Sequence, residues 1–256
     1  MRVRNLKGYR PCGVPSAGRP KRLAADIVPW ARLGARVALL GALAFLAAAG
    51  LSASSHAATF VTAGNLTSDT AWAVSGSPYT LEGDIRVPPG LHLEIDAGVT
   101  VYAPFGGRII VEGDLGVRGL SGSPVVFAPG PSEGSWGGIS VNGTGNATIA
   151  NATITRPDVG VSVTTTGQVL VTDSLIERVL SHGVSVLGDS GGVVLRDLTV
   201  QQGVTALKAF DGRSNVSAER VTFTQMLECV LVSNASNITL RAALIRVCGG
   251  AAVNLT

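Results

Sequence analysis

The most informative feature of this chain is a repeat of roughly 22 residues, a period that is typical of solenoids. It runs from about residue 146 to the last residue. In each repeat an apolar residue is followed two positions later by a polar or small residue. Three positions further on comes Ile, Val or Phe. The passages that follow this pattern are 149–154, 171–176, 195–200, 218–223 and 240–245. The middle positions are 151, 173, 197, 220 and 242, so the step from one to the next is nearly constant.

A second short apolar segment follows each of these passages, and both kinds of segment alternate with a period of two. The second segments are 160–163, 183–186, 206–209, 229–232 and 251–254. Alternation predicts β-strands. We therefore expect an all-β fold, a parallel β-helix of short strands in which neighbouring coils lie roughly 4.8 Å apart. Its core is expected to contain a column of inward-facing residues: Ile154, Ile176, Val200, Phe223 and Ile245.

Residues 1–57 have the features of an export leader. An apolar run over 37–51 follows a segment with nine Lys or Arg residues and precedes the small residues Ser55 and Ala57. The run is short for a membrane span, and this arrangement is typical of a signal peptide. The alternative is an uncleaved membrane anchor. A membrane association is expected only through export or through such an anchor.

The charge of the chain changes sign when the leader is removed. The whole chain has 20 basic and 17 acidic residues, a formal charge of +3. Residues 1–57 hold nine of the basic residues and one acidic residue, so 11 basic and 16 acidic residues remain, a charge of −5. The basic balance thus belongs to the leader, and nucleic acid is not an expected partner of the folded domain.

Two cysteines, Cys229 and Cys248, follow the leader. An exported protein permits a disulfide. The repeat, however, places Cys229 on Ala251, so that Cys248 lies three residues to the side, roughly 10 Å along an extended strand. Because this exceeds the usual disulfide separation, two buried unpaired thiols are favoured.

The rest of the chain divides into two parts. Residues 58–80 are expected to form an N-terminal cap region, with Trp72 and Tyr79 as bulky apolar covers. Residues 81–256 are expected to form the β-helix, with short strands punctuated by Gly and Pro. The last repeat stops without a cap, which predicts a β-helix that is incomplete at the C-terminus or that pairs with a partner there.

Four passages in the first half of this region carry a resemblance to a known family. They are 93–101, 110–115, 124–127 and 136–139. With the repeats behind them, they resemble right-handed parallel β-helix proteins of the secreted and cell-surface type, the pectate-lyase-like solenoid superfamily. The resemblance implies a right-handed parallel β-helix over residues 81–256. It implies little about activity, because such proteins include polysaccharide lyases, hydrolases and adhesins.

Eight asparagines follow the leader, and each has Ser or Thr two positions later without an intervening Pro. This is the N-glycosylation acceptor pattern. Alternatively, the pattern reflects turn residues copied by the repeat. Asn151 shares its column with Asp173 and Asp197, so its side chain is expected to point inward and bond the turn backbone instead. The expected glycosylation sites are Asn65, Asn142, Asn146, Asn215, Asn234, Asn237 and Asn254.

One cluster of ionisable residues follows the first strand of successive repeats. In such a cluster a base beside an Arg can remove a proton next to a uronate carboxylate, with the Arg neutralising the developing charge. The alternative is a solvated turn face with weak ion pairs. The candidate catalytic residues are Arg156, Asp158, Arg178, His182 and Glu228.

A second column, Asp189, Asp211 and Asn234, lies in the turn that closes each repeat. Stacked oxygen ligands of this kind can hold Ca²⁺, but two carboxylates are few, and Asp and Asn are ordinary turn residues. No metal or other cofactor is therefore predicted, and Asp189 and Asp211 are weak calcium candidates.

Together these features predict a secreted or cell-surface glycoprotein without catalytic activity. Its long faces are expected to bind a polysaccharide or a cell-surface protein, since solenoids expose extended surfaces. The alternative is a polysaccharide lyase or glycoside hydrolase that acts on acidic polysaccharide. A third reading is a structural spacer without a ligand.

Overall fold

The computed structural model describes residues 57–233, 237–250 and 252–255. Nearly all of the leader, including its apolar run, lies outside the described residues, and so does Asn234. Within the described part, the structure is built of β-strands, with one 3-10 turn at Val74–Gly76. None of its helical segments is long and apolar enough to cross a membrane.

Twenty-three strands follow one another along the described ranges. In chain order they are β1 Thr59–Val61, β2 Gly64–Asn65, β3 Thr70–Trp72, β4 Tyr79–Leu81, β5 Ile85–Val87, β6 His92–Asp96, β7 Thr100–Ala103, β8 Arg108–Val111, β9 Asp114–Arg118, β10 Val125–Pro129, β11 Gly138–Gly143, β12 Asn146–Ala150, β13 Ala152–Thr155, β14 Val159–Thr165, β15 Val169–Thr172, β16 Leu175–Leu187, β17 Gly192–Arg196, β18 Thr199–Phe210, β19 Asn215–Glu219, β20 Thr222–Val232, β21 Asn237–Arg241, β22 Leu244–Cys248 and β23 Val253–Leu255.

The strands wind into a parallel β-solenoid of about eight turns with about 23 residues per coil. Each coil contributes one strand to each of three faces. Face 1 contains β1, β4, β7, β10, β13, β22 and the first halves of β16, β18 and β20. Face 2 contains β2, β5, β8, β11, β14, β23 and the second halves of the same three long strands. Face 3 contains β3, β6, β9, β12, β15, β17, β19 and β21.

The predicted inward column is confirmed. Ile154 pairs with Ile176, Ile176 with Val200, Val200 with Phe223, and Phe223 with Ile245. The first four side chains are fully buried, and Ile245 in the last coil is partly buried. The second set of segments also stacks as the repeat predicts, with Val161 on Val184 and so on along face 2. The core is thus a stack of apolar side chains that runs along the axis.

Two columns of bent backbone separate the faces. Between face 3 and face 1, the five repeat positions 151, 173, 197, 220 and 242 all have φ between +48° and +52°. Between face 1 and face 2, a second column has φ between +49° and +60°, and it consists of Arg156, Arg178, Gln202, Gln225 and Val247. Asn and Asp tolerate this left-handed region best, which explains the Asn and Asp at the start of the first column.

Asn151 does not point inward as the sequence predicted. Its backbone N–H donates to the carbonyl of Thr172. Its side chain is half-buried and lines an external groove of about 440 Å³ together with those of Asp173 and Asp197. The left-handed backbone at these positions turns the side chain outward from the corner instead of into the core.

The N-terminal segment joins the stack through its strands. β1 pairs with β4, and β3 pairs with β6, both in parallel. Trp72 and Tyr79, the predicted apolar covers, are buried and stack with ring centroids 5.0 Å apart. The two stacked rings therefore reduce the apolar surface that the first coil would otherwise expose at this end of the solenoid.

The prediction of two unpaired thiols is wrong. Cys229 and Cys248 form a disulfide with a Cα–Cα distance of 5.8 Å. The larger separation expected from the sequence assumed a straight strand, but β20 turns from face 1 to face 2 between Met226 and Val230. Cys248 pairs with Met226, and the pairing shifts by one residue before Val230 meets Val253. The bend and the shift bring the two cysteines within reach of each other.

Candidate functional site

A groove of about 430 Å³ lies where face 2 begins, beside the bend that follows face 1. It crosses four coils, because β8, β11 and β14 are neighbours in register and Leu180 of β16 also lines it. The residues that give it chemical character are Phe105, Arg108, Trp136, Ser140, Asp158 and Leu180. An exposed aromatic ring, apolar surface, hydroxyl groups and charges of both signs thus converge on one concave surface.

The groove has a rigid floor. The indole of Trp136 is buried, stacks on Phe127 at a centroid distance of 6.0 Å, and donates from Nε1 to the carbonyl of Thr155 at 3.1 Å. Arg108 is held by Asp84 of the preceding coil, which accepts from its backbone N–H at 2.9 Å and from Nη2 at 3.0 Å. By contrast, the ring of Phe105 is 74% exposed at the rim.

The structure brings two of the predicted catalytic residues together. Asp158 precedes β14, and the next coil places His182 opposite Val159. The backbone N–H of His182 donates to the carbonyl oxygen of Asp158 at 3.3 Å. The carboxylate of Asp158 accepts from the hydroxyl of Ser181 at 2.5 Å, which holds it on the coil below the imidazole.

The other three candidates lie further apart. Arg156 and Arg178 occupy equivalent positions in the left-handed bend of consecutive coils, as the repeat predicted. Glu228 lies in the same row as His182 but two coils further on, with Thr205 on the coil between them. The two coils separate His182 from Glu228 by roughly 9–10 Å along the axis. The five candidates therefore form a stripe along the bend and not a single compact centre.

Burial and nearby charge together lower the pKa of the His182 imidazole. Partial burial lowers the pKa of His182 below its ordinary 6.5, and the positive charge of Lys208 lowers this pKa further. The carboxylates of Asp158 and Glu228 act in the opposite direction with smaller effect. Lys208, which sequence reasoning missed, projects from face 2 with its Nζ 4.2 Å from the centre of the Phe210 ring.

This shift predicts a pH dependence of stability. Below pH 6.5 the unfolded chain is protonated at His182, whereas the folded chain binds this proton only at lower pH because its His182 pKa is lower. The free energy of unfolding therefore falls as the pH drops from 6.5 through the pKa of the folded state. We expect the free energy of unfolding to fall more between pH 7 and pH 5 for the wild type than for His182→Gln. Denaturant titrations across this range measure the difference. Parallel pH profiles of the two proteins would show that His182 is not the responsible group.

An apolar ridge continues from the groove along the axis, and the sequence analysis missed it. Leu180, Val204 and Leu227 follow one another on consecutive coils and are 49%, 40% and 58% exposed. The residues before them, Val179 and Gly203, are paired in register. The signal in the sequence was an apolar residue two positions after the bend in three consecutive repeats, where a solvated turn would carry a polar one.

The two weak calcium candidates, Asp189 and Asp211, have structural roles in turns. A carboxylate oxygen of Asp189 accepts from the backbone N–H of Arg213 at 2.8 Å, one coil further on. Asp211 has φ +58°, the left-handed conformation that Asp tolerates in turns. Across the described ranges, no group of three or more His, Cys, Asp or Glu side chains is placed to hold a metal ion.

Three of the predicted glycosylation sites lie in one column at the start of face 3 strands. Asn146 is exposed, donates from Nδ2 to Asp114 at 2.9 Å, and accepts from the backbone N–H of Gln168 at 2.8 Å. Asn215 and Asn237 are exposed on adjacent coils, and Nδ2 of Asn237 donates to Asn215 at 3.3 Å. These asparagines therefore form a partial amide ladder along face 3.

The remaining described sites differ in access. Asn65 is exposed near the N-terminal end of face 2. Asn142 is half-buried, and its Oδ1 accepts from the hydroxyl groups of Ser140 and Thr164 at 3.0 Å and 2.7 Å. Asn254 is half-buried in the last coil. A glycan would meet least obstruction at Asn65.

Comparison with known families agrees with this architecture. Residues 137–256 match the model of the right-handed β-helix region, and residues 64–174 match that of the pectate-lyase-like β-helix domain. No curated protein and no solved structure matches the chain significantly. With the solenoid itself, the two family matches show that the chain is a right-handed parallel β-helix repeat protein of the pectate-lyase-like class.

Proposed function

We propose that this β-helix protein is exported and that it binds carbohydrate along face 2 without catalysing a reaction of the carbohydrate. The observation that carries the proposal is the groove of about 430 Å³ with the exposed ring of Phe105 at its rim. Sugar rings present apolar C–H faces and a belt of hydroxyl groups. Aromatic and aliphatic surface beside fixed polar groups suits both parts of such a ligand.

The ridge gives the proposed site a direction. Leu180 belongs both to the groove and to the ridge, which Val204 and Leu227 extend over the next two coils. A ligand that runs along the solenoid axis would cover apolar surface that is otherwise exposed to water. A polymer fits this shape better than a single sugar, because the polymer contacts several coils at once.

Removal of the exposed ring tests the proposal. We expect Phe105→Ala to weaken binding to the polysaccharides recognised by the wild type on a glycan array by about tenfold, the loss of roughly 1.4 kcal/mol of stacking and burial. Phe60→Ala is the matched control, because Phe60 is 68% exposed but lies on face 1. Equal binding by the wild type and both variants, or no binding by any of them, would refute the proposed site.

Two features support export. The Cys229–Cys248 disulfide is of the kind that persists in oxidising compartments. The N-glycosylation acceptor pattern at the asparagines is likewise typical of exported proteins. We propose glycans at Asn65, Asn146, Asn215 and Asn237 first, since these side chains are exposed. Mass spectrometry of the protein from its native host checks this, and unmodified peptides at all acceptor sites would contradict it.

One observation favours a second candidate function, a lyase or hydrolase that acts on acidic polysaccharide. His182, whose pKa is lowered by burial and by the positive charge of Lys208, lies beside Asp158. A neutral imidazole can remove a proton next to a uronate carboxylate, and a cation can stabilise the resulting charge. Arg178 in the adjacent bend would assist in the same way.

Incubation with uronate polymers separates the two functions. A lyase produces unsaturated ends that absorb in the ultraviolet, and a hydrolase produces new reducing ends. Catalysis that is lost in His182→Ala would establish the enzyme and overturn the non-catalytic proposal. Binding on a glycan array without either product would support the proposal as stated.

A further inference from the structure

A polar depression of about 370 Å³ lies on face 3, away from the face 2 groove. Three neighbouring strands, β6, β9 and β12, supply its lining in register. The side chains that carry its chemistry are His92, Glu94, Asp114, Arg118, Asn146 and Thr148. No part of the proposed carbohydrate groove contributes to it.

Glu94 is the centre of this depression. Its side chain is only 15% exposed, although it projects from the outer surface of the sheet. Its Oε2 lies 2.7 Å from Nε2 of His92, and its Oε1 contacts Nε of Arg118. An ionised carboxylate only accepts hydrogen bonds, so this contact places a proton on Nε2 of His92.

Gly116 makes this arrangement possible. It stacks directly on Glu94 in register, so its missing side chain leaves open the space into which the carboxyl group extends. A Cβ at position 116 would collide with Oε2 of Glu94. The floor of the depression is therefore the glycine backbone with a carboxylate lying over it.

The polar groups suit a neutral ligand with adjacent hydroxyl groups. The guanidinium of Arg118 is 74% exposed and borders the carboxylate of Glu94, so a donor and an acceptor lie side by side. Each hydroxyl of a vicinal pair can donate to the carboxylate and accept from the guanidinium. Asp114 adds a second carboxylate, held by Asn146 at 2.9 Å, and the excess of negative charge disfavours an anionic ligand.

We propose that this face 3 depression is a binding site for a neutral sugar residue, recognised through vicinal hydroxyl groups by Glu94 and Arg118. Asp114 and Thr148 also line the depression. The proposal stands independently of the function assigned to face 2, because the two sites share no residue.

The histidines allow the two sites to be observed separately. The chain has three His residues, of which His92 reports on face 3 and His182 on face 2. In the full chain, made without glycosylation, the imidazole NMR signals are assigned with His92→Gln and His182→Gln. We then expect methyl glycosides of glucose, galactose or mannose to shift the His92 signals saturably, with millimolar affinity, and to leave His182 unchanged at those concentrations. Methyl glucuronide is expected to bind the face 3 depression, as reported by the His92 signals, more weakly than the neutral glycosides do.

Three variants complete the test. Arg118→Met and Glu94→Gln are each expected to weaken the His92 response about tenfold, the loss of one charge-assisted hydrogen bond. Gly116→Ala should also weaken it, whereas Gly122→Ala, where a Cβ meets open space, should not. Arg118 is exposed enough for its replacement to leave the fold intact, and thermal unfolding checks this for each variant. The proposal is overturned if no neutral glycoside shifts His92, if Arg118→Met binds as well as the wild type, or if only methyl glucuronide binds.

Discussion

Replacement of Phe223 with Ala is expected to lower the free energy of unfolding by about 3–5 kcal/mol. The Phe223 ring is fully buried in the inward column, between Val200 of one neighbouring coil and Ile245 of the other. Its removal loses the transfer free energy of the ring and leaves a cavity. The rigid parallel stack on both sides limits how far the cavity can close. Denaturant titration measures the loss.

Leu227→Ala is the matched control for this prediction. Leu227 lies on the same strand, β20, but its side chain is 58% exposed on the ridge. We expect its replacement to change stability by less than about 0.5 kcal/mol. Similar losses for the two variants would contradict a core built on the inward column.

Loss of the disulfide is expected to have the second largest effect. The bond joins Cys229 and Cys248, which are 19 residues apart in sequence and lie on adjacent coils. A cross-link that closes a loop of this length stabilises a protein by about 2–4 kcal/mol, mainly because it restricts the unfolded chain. We expect Cys229→Ala/Cys248→Ala to lose stability in this range when compared with the oxidised wild type by denaturant titration.

A reductant provides the control for the disulfide prediction. It should lower the stability of the wild type toward that of the double variant and leave the double variant unchanged. Hydrogen exchange should show the largest loss of protection in β22, because that strand carries Cys248 and belongs to the last coil. A wild type with the same unfolding curve in oxidised and reduced form would refute a stabilising role for the bond.

The period of the repeat predicted most of the architecture behind residue 146. Because a solenoid places residues one coil apart directly above one another, the nearly constant spacing of the repeat positions already identified the vertical neighbours. The inward column from Ile154 to Phe223 was correct for this reason, and so was the alignment of the positions that begin at Asn151. The stacking of Arg156 over Arg178 followed from the same spacing.

The error at the cysteines shows where such spacing arguments fail. The repeat assigned the correct neighbouring coils, but it could not show that β20 turns from face 1 to face 2 beyond Met226 or that the pairing shifts by one residue there. A distance along the chain is a distance in space only in a straight strand. The inward orientation expected for Asn151 failed for a related reason, because a left-handed bend redirects its side chain.

The two candidate binding surfaces were missed because they lie mainly in the first half of the chain, where the repeat is irregular. Leu115 pairs with Ala147, and Ala147 pairs with Val169, so the coil that leads from β9 to β12 is much longer than the coil that follows it. This long coil hides the alignment that places Asn146 on Asp114 and Gly138 on Arg108. Extension of the alignment through the long coil by strand pattern would have brought His92, Asp114 and Asn146 into one column.

The amino-acid sequence alone determined the class of fold and the stacking order of the coils, because both follow from which residues are apolar and how often they recur. It also located the ionisable stripe near His182. Only the tertiary structure decided which of those side chains meet, which lie two coils apart and where concave surfaces open. These properties depend on backbone bends, on coil length and on how a neighbouring side chain fills the space left by a glycine such as Gly116, and the period of the repeat does not specify them.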